Sequence, residues 1–160
     1  MIGMADIVVS RDPNLTLCTA PLGACLGIAI YDSVARVGGL MHSLLPESNI
    51  DPQRAATKPG MFLDTGVAEL LRRAHELQAT RENLLVYVAG GGQIIDESTY
   101  FNIGKRNYDV LAALLGRHGL AIGAEDVGGL ANRVMELNIE TGEVRLKFSG
   151  NVKMKILCKP

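Results

Sequence analysis

Three polar side chains stand in a stretch that is otherwise small or apolar: Thr19, Cys25 and His42, within Thr19-Ala20-Pro21-Leu22-Gly23-Ala24-Cys25-Leu26-Gly27 and Gly38-Gly39-Leu40-Met41-His42. A thiol and an imidazole brought together make a nucleophile and its base. A free thiol, with a pKa of about 8.5, is only a few per cent thiolate at neutral pH. An apolar setting raises that pKa further and lowers the pKa of an imidazole. A direct Cys–His hydrogen bond offsets both effects, because thiolate and imidazolium stabilise each other. The same imidazole can hand the proton on to a leaving group, an effect worth roughly 10²–10⁴ in rate. Such a pair needs a third group to hold the imidazole in one tautomer and orientation. No Asp or Glu lies nearby in sequence on this face, and Thr19, across the Pro21-Leu22-Gly23 bend, is the nearest candidate. Glycines at positions 23 and 27 let backbone N–H groups approach a developing oxyanion. One such donor is typically worth about 10²–10³ in rate.

Whether Cys25 and His42 meet depends on the hairpin between them. Asp32-Ser33-Val34-Ala35 has the length of a four-residue loop on a type I turn. If Tyr31 pairs with Arg36, the register places Cys25 directly opposite His42, with Cβ atoms roughly 4.5–5.5 Å apart. A one-residue change in loop length would send the two to opposite faces. The residue types by themselves also suit a plainer role. A buried cysteine behaves as a small apolar residue, a strand histidine can be a satisfied core group, and a strand threonine is β-branched filler.

The other chemistry-bearing residues form no comparable set. Gly23-Ala24-Cys25-Leu26-Gly27 fits a GxCxG nucleophile elbow, but His118 is followed by Gly119-Leu120 and lacks the acid that reading needs. Gly90-Gly91-Gly92 has neither GxGxxG spacing nor the Lys-Ser/Thr of a phosphate loop. His75 falls on a charged helix side, and His118 suits a helix C-terminus. Cys18 is expected in the core and Cys158 in an exposed tail. Three cysteines without CxxC spacing argue against a disulfide framework, and with three histidines they offer no metal-ligand pattern. No metal or cofactor is expected.

The elements that must hold these residues follow from pattern and punctuation. Asp6–Ser10, Leu15–Thr19 and Arg36–Leu45 read as strands, and Ala24–Tyr31 as a central strand covered on both faces. Asn83–Ala89, Leu120–Ala124, Arg133–Ile139, Glu143–Phe148 and Val152–Leu157 read as further strands, with a turn at Thr141-Gly142. Phe62, Leu63, Val67, Leu70, Leu71, Ala74 and Leu77 recur at helical spacing, which predicts a helix over about Gly60–Ala79. A second helix spans about Gly104–His118, with Gly119 as its cap. Glu47–Gly60 has no periodicity and reads as a surface loop. Two helices among many strands, not strictly alternating, give an α+β fold. Its expected core is a mixed, largely antiparallel sheet, single or split into two stacked sheets, with the two main helices covering one face.

A length of 160 residues suits one domain, 1–160, with 48% hydrophobic and 21% charged residues. A formal net charge of -1 and 4% aromatics, without Trp, give no reason to expect nucleic acid as a partner. No apolar run reaches the ~18 residues of a membrane span, the first residues lack the pattern of a signal peptide, and cysteine usage suits a reducing cytoplasm.

At the Cys25 and His42 stretches the chain resembles the chemoreceptor glutamine deamidase family, CheD. The family pattern T-L-G-L-G-S-C-V stands here as Thr19-Ala20-Pro21-Leu22-Gly23-Ala24-Cys25-Leu26, and G-G-M-x-H-x-x-L-P as Gly38-Gly39-Leu40-Met41-His42-Ser43-Leu44-Leu45-Pro46. Collinear matches continue at Lys58-Pro59-Gly60, Asp64-Thr65, Ala89-Gly90-Gly91, Phe101-Asn102-Ile103-Gly104-Lys105-Arg106-Asn107, Glu125-Asp126-Val127-Gly128-Gly129, Arg133 and Thr141-Gly142. The resemblance implies a cysteine hydrolase that converts selected receptor glutamines to glutamate. Cys25 would be its nucleophile, His42 its general base and acid, and Thr19 the residue that orients the histidine. It implies chemoreceptor cytoplasmic domains and a CheC-type phosphatase as partners, and glutamyl methyl esters as further substrates in some members. Ala20-Pro21 and Ala24 depart from the pattern beside the nucleophile, as do Met41 and Gly92-Gln93 further on. Of these, Pro21 removes a backbone N–H and stiffens the bend. A different class of function also fits the resemblance: a module that docks the phosphatase or the receptor with little hydrolase activity.

Overall fold

A computed structural model describes residues 1–93, 102–150 and 154–160. The strands are β1 (Ile7–Ser10), β2 (Thr16–Cys18), β3 (Leu26–Asp32), β4 (Val37–Ser43), β5 (Leu84–Gly90), β6 (Ile122–Val127), β7 (Arg133–Asn138), β8 (Val144–Phe148) and β9 (Met154–Cys158). The helices are α1 (Pro52–Thr57), α2 (Leu63–Glu76) and α3 (Ile103–Arg117). The expected α+β class holds, and the sheet is split in two. A five-stranded sheet runs β1-β4-β3-β5-β6, and a four-stranded sheet runs β2-β7-β8-β9. Only β5 and β6 pair in parallel among the described strands, joined through α3; all other ladders are antiparallel. Phe101, Val152 and Lys153 of the expected elements lie outside the described residues.

β3 and β4 are buried along their whole length because both of their faces are covered. On one face Leu26, Ile28, Ile30 and Met41 pack with Leu63, Val67, Leu70 and Ala74 of α2 and Leu111, Leu114 and Leu115 of α3. On the other, Ala29, Tyr31 and Leu40 pack with Leu17 of β2, Met135 and Leu137 of β7, and Leu146 of β8. The molecule is therefore a three-layer stack: helices, first sheet, second sheet. The alternation along β4 that sends Met41 to the helices sends Leu40 and His42 into the layer between the sheets.

Three expectations change. Glu47–Gly60 is not a plain loop, since Pro52–Thr57 forms a helix. Asp51 caps it by accepting the Arg54 N–H, and Pro52 opens its first turn. A helix this short shows no periodicity, with Ala55 its one buried residue. The strand expected at Leu120–Ala124 begins at Ile122 and runs through Glu125 and Asp126 to Val127 alongside β5. The β3–β4 hairpin closes on Asp32 and Val37 rather than on Tyr31 and Arg36. Asp32 explains the shift. Its fully buried carboxylate accepts the N–H groups of Val34, Ala35 and Thr80, each at 2.9 Å, so it serves best as the last strand residue. Arg36 then ends the turn in the left-handed region, at φ +52°.

Candidate active site

The new register moves every pairing by two, which preserves the faces. His42 lies opposite Gly27, and Cys25 lies in the bend that leads into β3. Cys25 therefore does not face His42 directly: it immediately precedes Leu26, the first ladder residue of β3, whose partner is Ser43, next to His42. Thr19 comes from the second sheet. It stands across from Met135, whose N–H donates to Thr19 Oγ1 at 3.0 Å. It lies on the same inner side as Leu17, one residue beyond β2. The three residues thus come from three different segments: Thr19 beside β7, Cys25 in the bend before β3, and His42 on β4.

His42 is 1% exposed, and neither Nδ1 nor Nε2 has a hydrogen-bond partner among the described residues. A buried imidazole with both nitrogens unpaired is costly for a structural group. Burial pushes its pKa down, and the charge of Asp6 pulls it back up. Burial pushes the Cys25 thiol up, opposed by a hydrogen bond from its own backbone N–H. Both shifts favour the neutral forms, and no hydrogen bond joins the Cys25 and His42 side chains.

Asp6 was not visible as a neighbour in the sequence. His42 donates its N–H to Asp6 O at 3.1 Å, while Ala5 donates its N–H to His42 O at 2.9 Å. Two residues thus oppose one, a β-bulge whose first member, Ala5, has φ +69°. A bulge re-aims the side chain next to it, and here the Asp6 carboxylate, tied to the Gly3 N–H, acts on the imidazole. A glycine at position 5 would have signalled the bulge; alanine concealed it.

The bend at Cys25 is fixed by its carbonyls. Gly92 N–H donates to Gly23 O and Gly91 N–H to Cys25 O, both at 2.8 Å, and Asn107 Nδ2 reaches Ala24 O at 3.3 Å. Gly90 has φ +106°, and a Cβ there would stand 2.2 Å from Cys25 O, so only glycine fits. With the carbonyls turned away, the N–H groups of Gly23 and Ala24 have no partner among the described residues. The expectation for Gly27 changes, because it pairs with His42 on β4 and Ala89 on β5 in the middle of the sheet. Its N–H belongs to the ladder. Pro21 is exposed, so its missing N–H leaves no buried group unsatisfied.

Arg133 anchors the bend to the second sheet. Its backbone exchanges hydrogen bonds with Leu22, and its side chain reaches Asp126 Oδ1 at 2.6 Å, Gly128 O at 2.7 Å and Ala131 O at 2.9 Å. The other cysteines stand apart. Cys18 is half-buried beside Glu136 rather than in the core, and Cys158 packs partly against the inter-sheet layer rather than lying free in the tail. His75 is exposed, as expected, and His118 caps α3.

The family model described as CheD chemotactic sensory transduction matches residues 44–148, about two thirds of the chain. The chain belongs to the CheD family. A relative in Syntrophus aciditrophicus, called probable chemoreceptor glutamine deamidase CheD 1, is 39% identical over 150 residues, 94% of each chain. The probable chemoreceptor glutamine deamidase CheD of Solibacter usitatus is 39% identical over 96% of this chain and 90% of its own. That of Pyrococcus horikoshii is 36% identical over 91% and 90%. The family model begins after Thr19, Cys25 and His42, whereas these CheD relatives align across nearly the whole chain.

Proposed function

We propose that this CheD chain is a protein-glutamine deamidase that converts glutamine side chains of chemoreceptors to glutamate, with Cys25 as nucleophile. The observation that carries the reading is the buried His42, both ring nitrogens without a partner among the described residues, on the strand that pairs with the one Cys25 leads into. In the proposed cycle the Cys25 proton passes to His42 as sulfur attacks the amide carbon. His42 then returns that proton to the departing nitrogen, and ammonia leaves. A water attacks the resulting thioester with His42 again as base, releasing glutamate and the thiol. Thr19 Oγ1 accepts one hydrogen bond from Met135 and has a second lone pair. That lone pair would accept the imidazole N–H and leave the other nitrogen free for the Cys25 proton. The N–H groups of Gly23 and Ala24 would face the oxyanion. A neutral resting pair suits this scheme, because catalytic hydrogen bonds often tighten only when substrate closes the site.

The names of the relatives support the substrate class. A CheC-type phosphatase as second partner, glutamyl methyl esters as further substrates and a cytoplasmic setting rest on the family resemblance. No helix among the described residues is long and apolar enough to cross a membrane. The test is incubation with receptor cytoplasmic fragments and mass spectrometry of their glutamines. Wild type should add the mass difference between an amide and an acid at specific sites, and Cys25→Ala should not. Equal conversion by Cys25→Ala would sink the nucleophile assignment. Tight receptor binding without conversion would favour the docking-module reading.

A further inference from the structure

The β3–β4 ladder ends at the pair Leu26 and Ser43. Beyond it the two chains diverge: Leu44 and Leu45 turn their N–H groups to Met61 O, and the bend at Gly23–Cys25 turns its carbonyls to Gly91 and Gly92. Among the described residues no backbone hydrogen bond joins 23–25 to 44–45. Just there the geometry of a Cys25–His42 pair needs support, and it comes from α3. Asn107, 1% exposed, donates from Nδ2 to Leu44 O at 2.9 Å and to Ala24 O at 3.3 Å. Ala24 precedes Cys25, and Leu44 lies two residues after His42. An amide is the side chain suited to this place, because its NH₂ carries two hydrogens, one for each carbonyl. Both partners are acceptors, so the amide orientation is determined. Asn107 Oδ1 is left buried without a partner among the described residues. That cost has no return for the helix itself.

We propose that Asn107 is a positioning residue that sets the separation of Cys25 from His42 by bridging the segments that carry them. The role rests on the assignment of Cys25 and His42 above. A displacement of about 1 Å at reacting atoms costs on the order of 10² in rate. The comparison is Asn107→Ala against Leu111→Ala, a buried core residue one turn further along α3 that has no part in the bridge. Both variants lose thermal stability. At a temperature where both are folded by circular dichroism, Asn107→Ala should lower kcat for receptor-fragment deamidation roughly 10- to 100-fold with KM within about twofold, and Leu111→Ala should keep kcat within about threefold. Equal loss of kcat in the two variants, or none in Asn107→Ala, overturns the role. A second readout does not require the deamidase reading: alkylation of Cys25 by iodoacetamide, followed by peptide mass mapping. Release of the bend should speed it at least fivefold in Asn107→Ala and leave it unchanged in Leu111→Ala. If wild type deamidates nothing, the functional reading fails while this arm still decides the bridge. Equal alkylation rates in the two variants refute it.

Discussion

The protonation state of Cys25 is open to direct measurement, and His42→Ala is the perturbation that isolates it. A thiol starts from a pKa of about 8.5, and burial pushes Cys25 above its ordinary value. Its thiolate fraction is then below about 3% at pH 7 and below about 0.3% at pH 6. His42 makes no hydrogen bond to it at rest, and burial holds the imidazole neutral. Alkylation of Cys25 by iodoacetamide, read by peptide mapping apart from Cys18 and Cys158, should therefore rise about tenfold per pH unit from pH 6 to 8. His42→Ala should change the rate at pH 7 by less than about threefold. A resting thiolate–imidazolium pair makes the opposite forecast. The sulfur would be almost wholly ionised, some 300-fold more so at pH 6, with a flat profile that collapses in His42→Ala. A flat, fast profile between pH 5 and 8 would refute the neutral pair.

Three further perturbations test the surroundings. Asp6→Asn removes the charge that pulls the His42 pKa up, so the imidazole should titrate at lower pH by NMR. The acid limb of kcat/KM should move down with it, since His42 must be neutral to act as base; an unmoved limb would exclude Asp6. Gly104→Ala sets a Cβ 2.4 Å from Gly91 O, a backbone atom in the loop that holds the Cys25 bend. Overpacking of this kind costs about 1–3 kcal/mol, which thermal denaturation should show as a Tm lower by roughly 2–12 °C. Arg133→Met leaves Asp126 to Lys155 alone and frees the carbonyls of Gly128 and Ala131. Breaking a largely buried pair costs roughly 3 kcal/mol, and a denaturation midpoint equal to wild type would show that the pair contributes nothing.

Much of the fold was legible because it is written in local patterns. The helical spacing of Leu63, Val67, Leu70 and Ala74 specifies α2, and these four residues are buried against the first sheet. The apolar run at Leu26–Tyr31 specifies a strand covered on both faces, and β3 is one. The catalytic candidates were legible as residue types: a thiol, an imidazole and a hydroxyl amid small and apolar neighbours, in the family's own order. A shift by two positions leaves every strand side chain on its own side, so the mistaken register still put His42 on the face of Gly27 and Ala29.

Relations between groups far apart in the chain emerge only when the fold closes. The hairpin register depends on Asp32, whose carboxylate finds Thr80 as well as its own turn. The division into two sheets depends on β2 pairing with β7 rather than with its sequence neighbours. Asp6 reaches His42 through a bulge in the β1–β4 ladder, and Asn107 reaches Ala24 and Leu44 across 83 and 63 residues of chain. None of these residues announces its partner, because a hydrogen bond is specified by position in space and a one-dimensional pattern encodes only which face a side chain takes. Residue types single out the groups suited to chemistry, and a period of two tells which face a strand side chain takes. Their ionisation and separation came from burial and from cross-chain bonds, which exist only once the layers have closed.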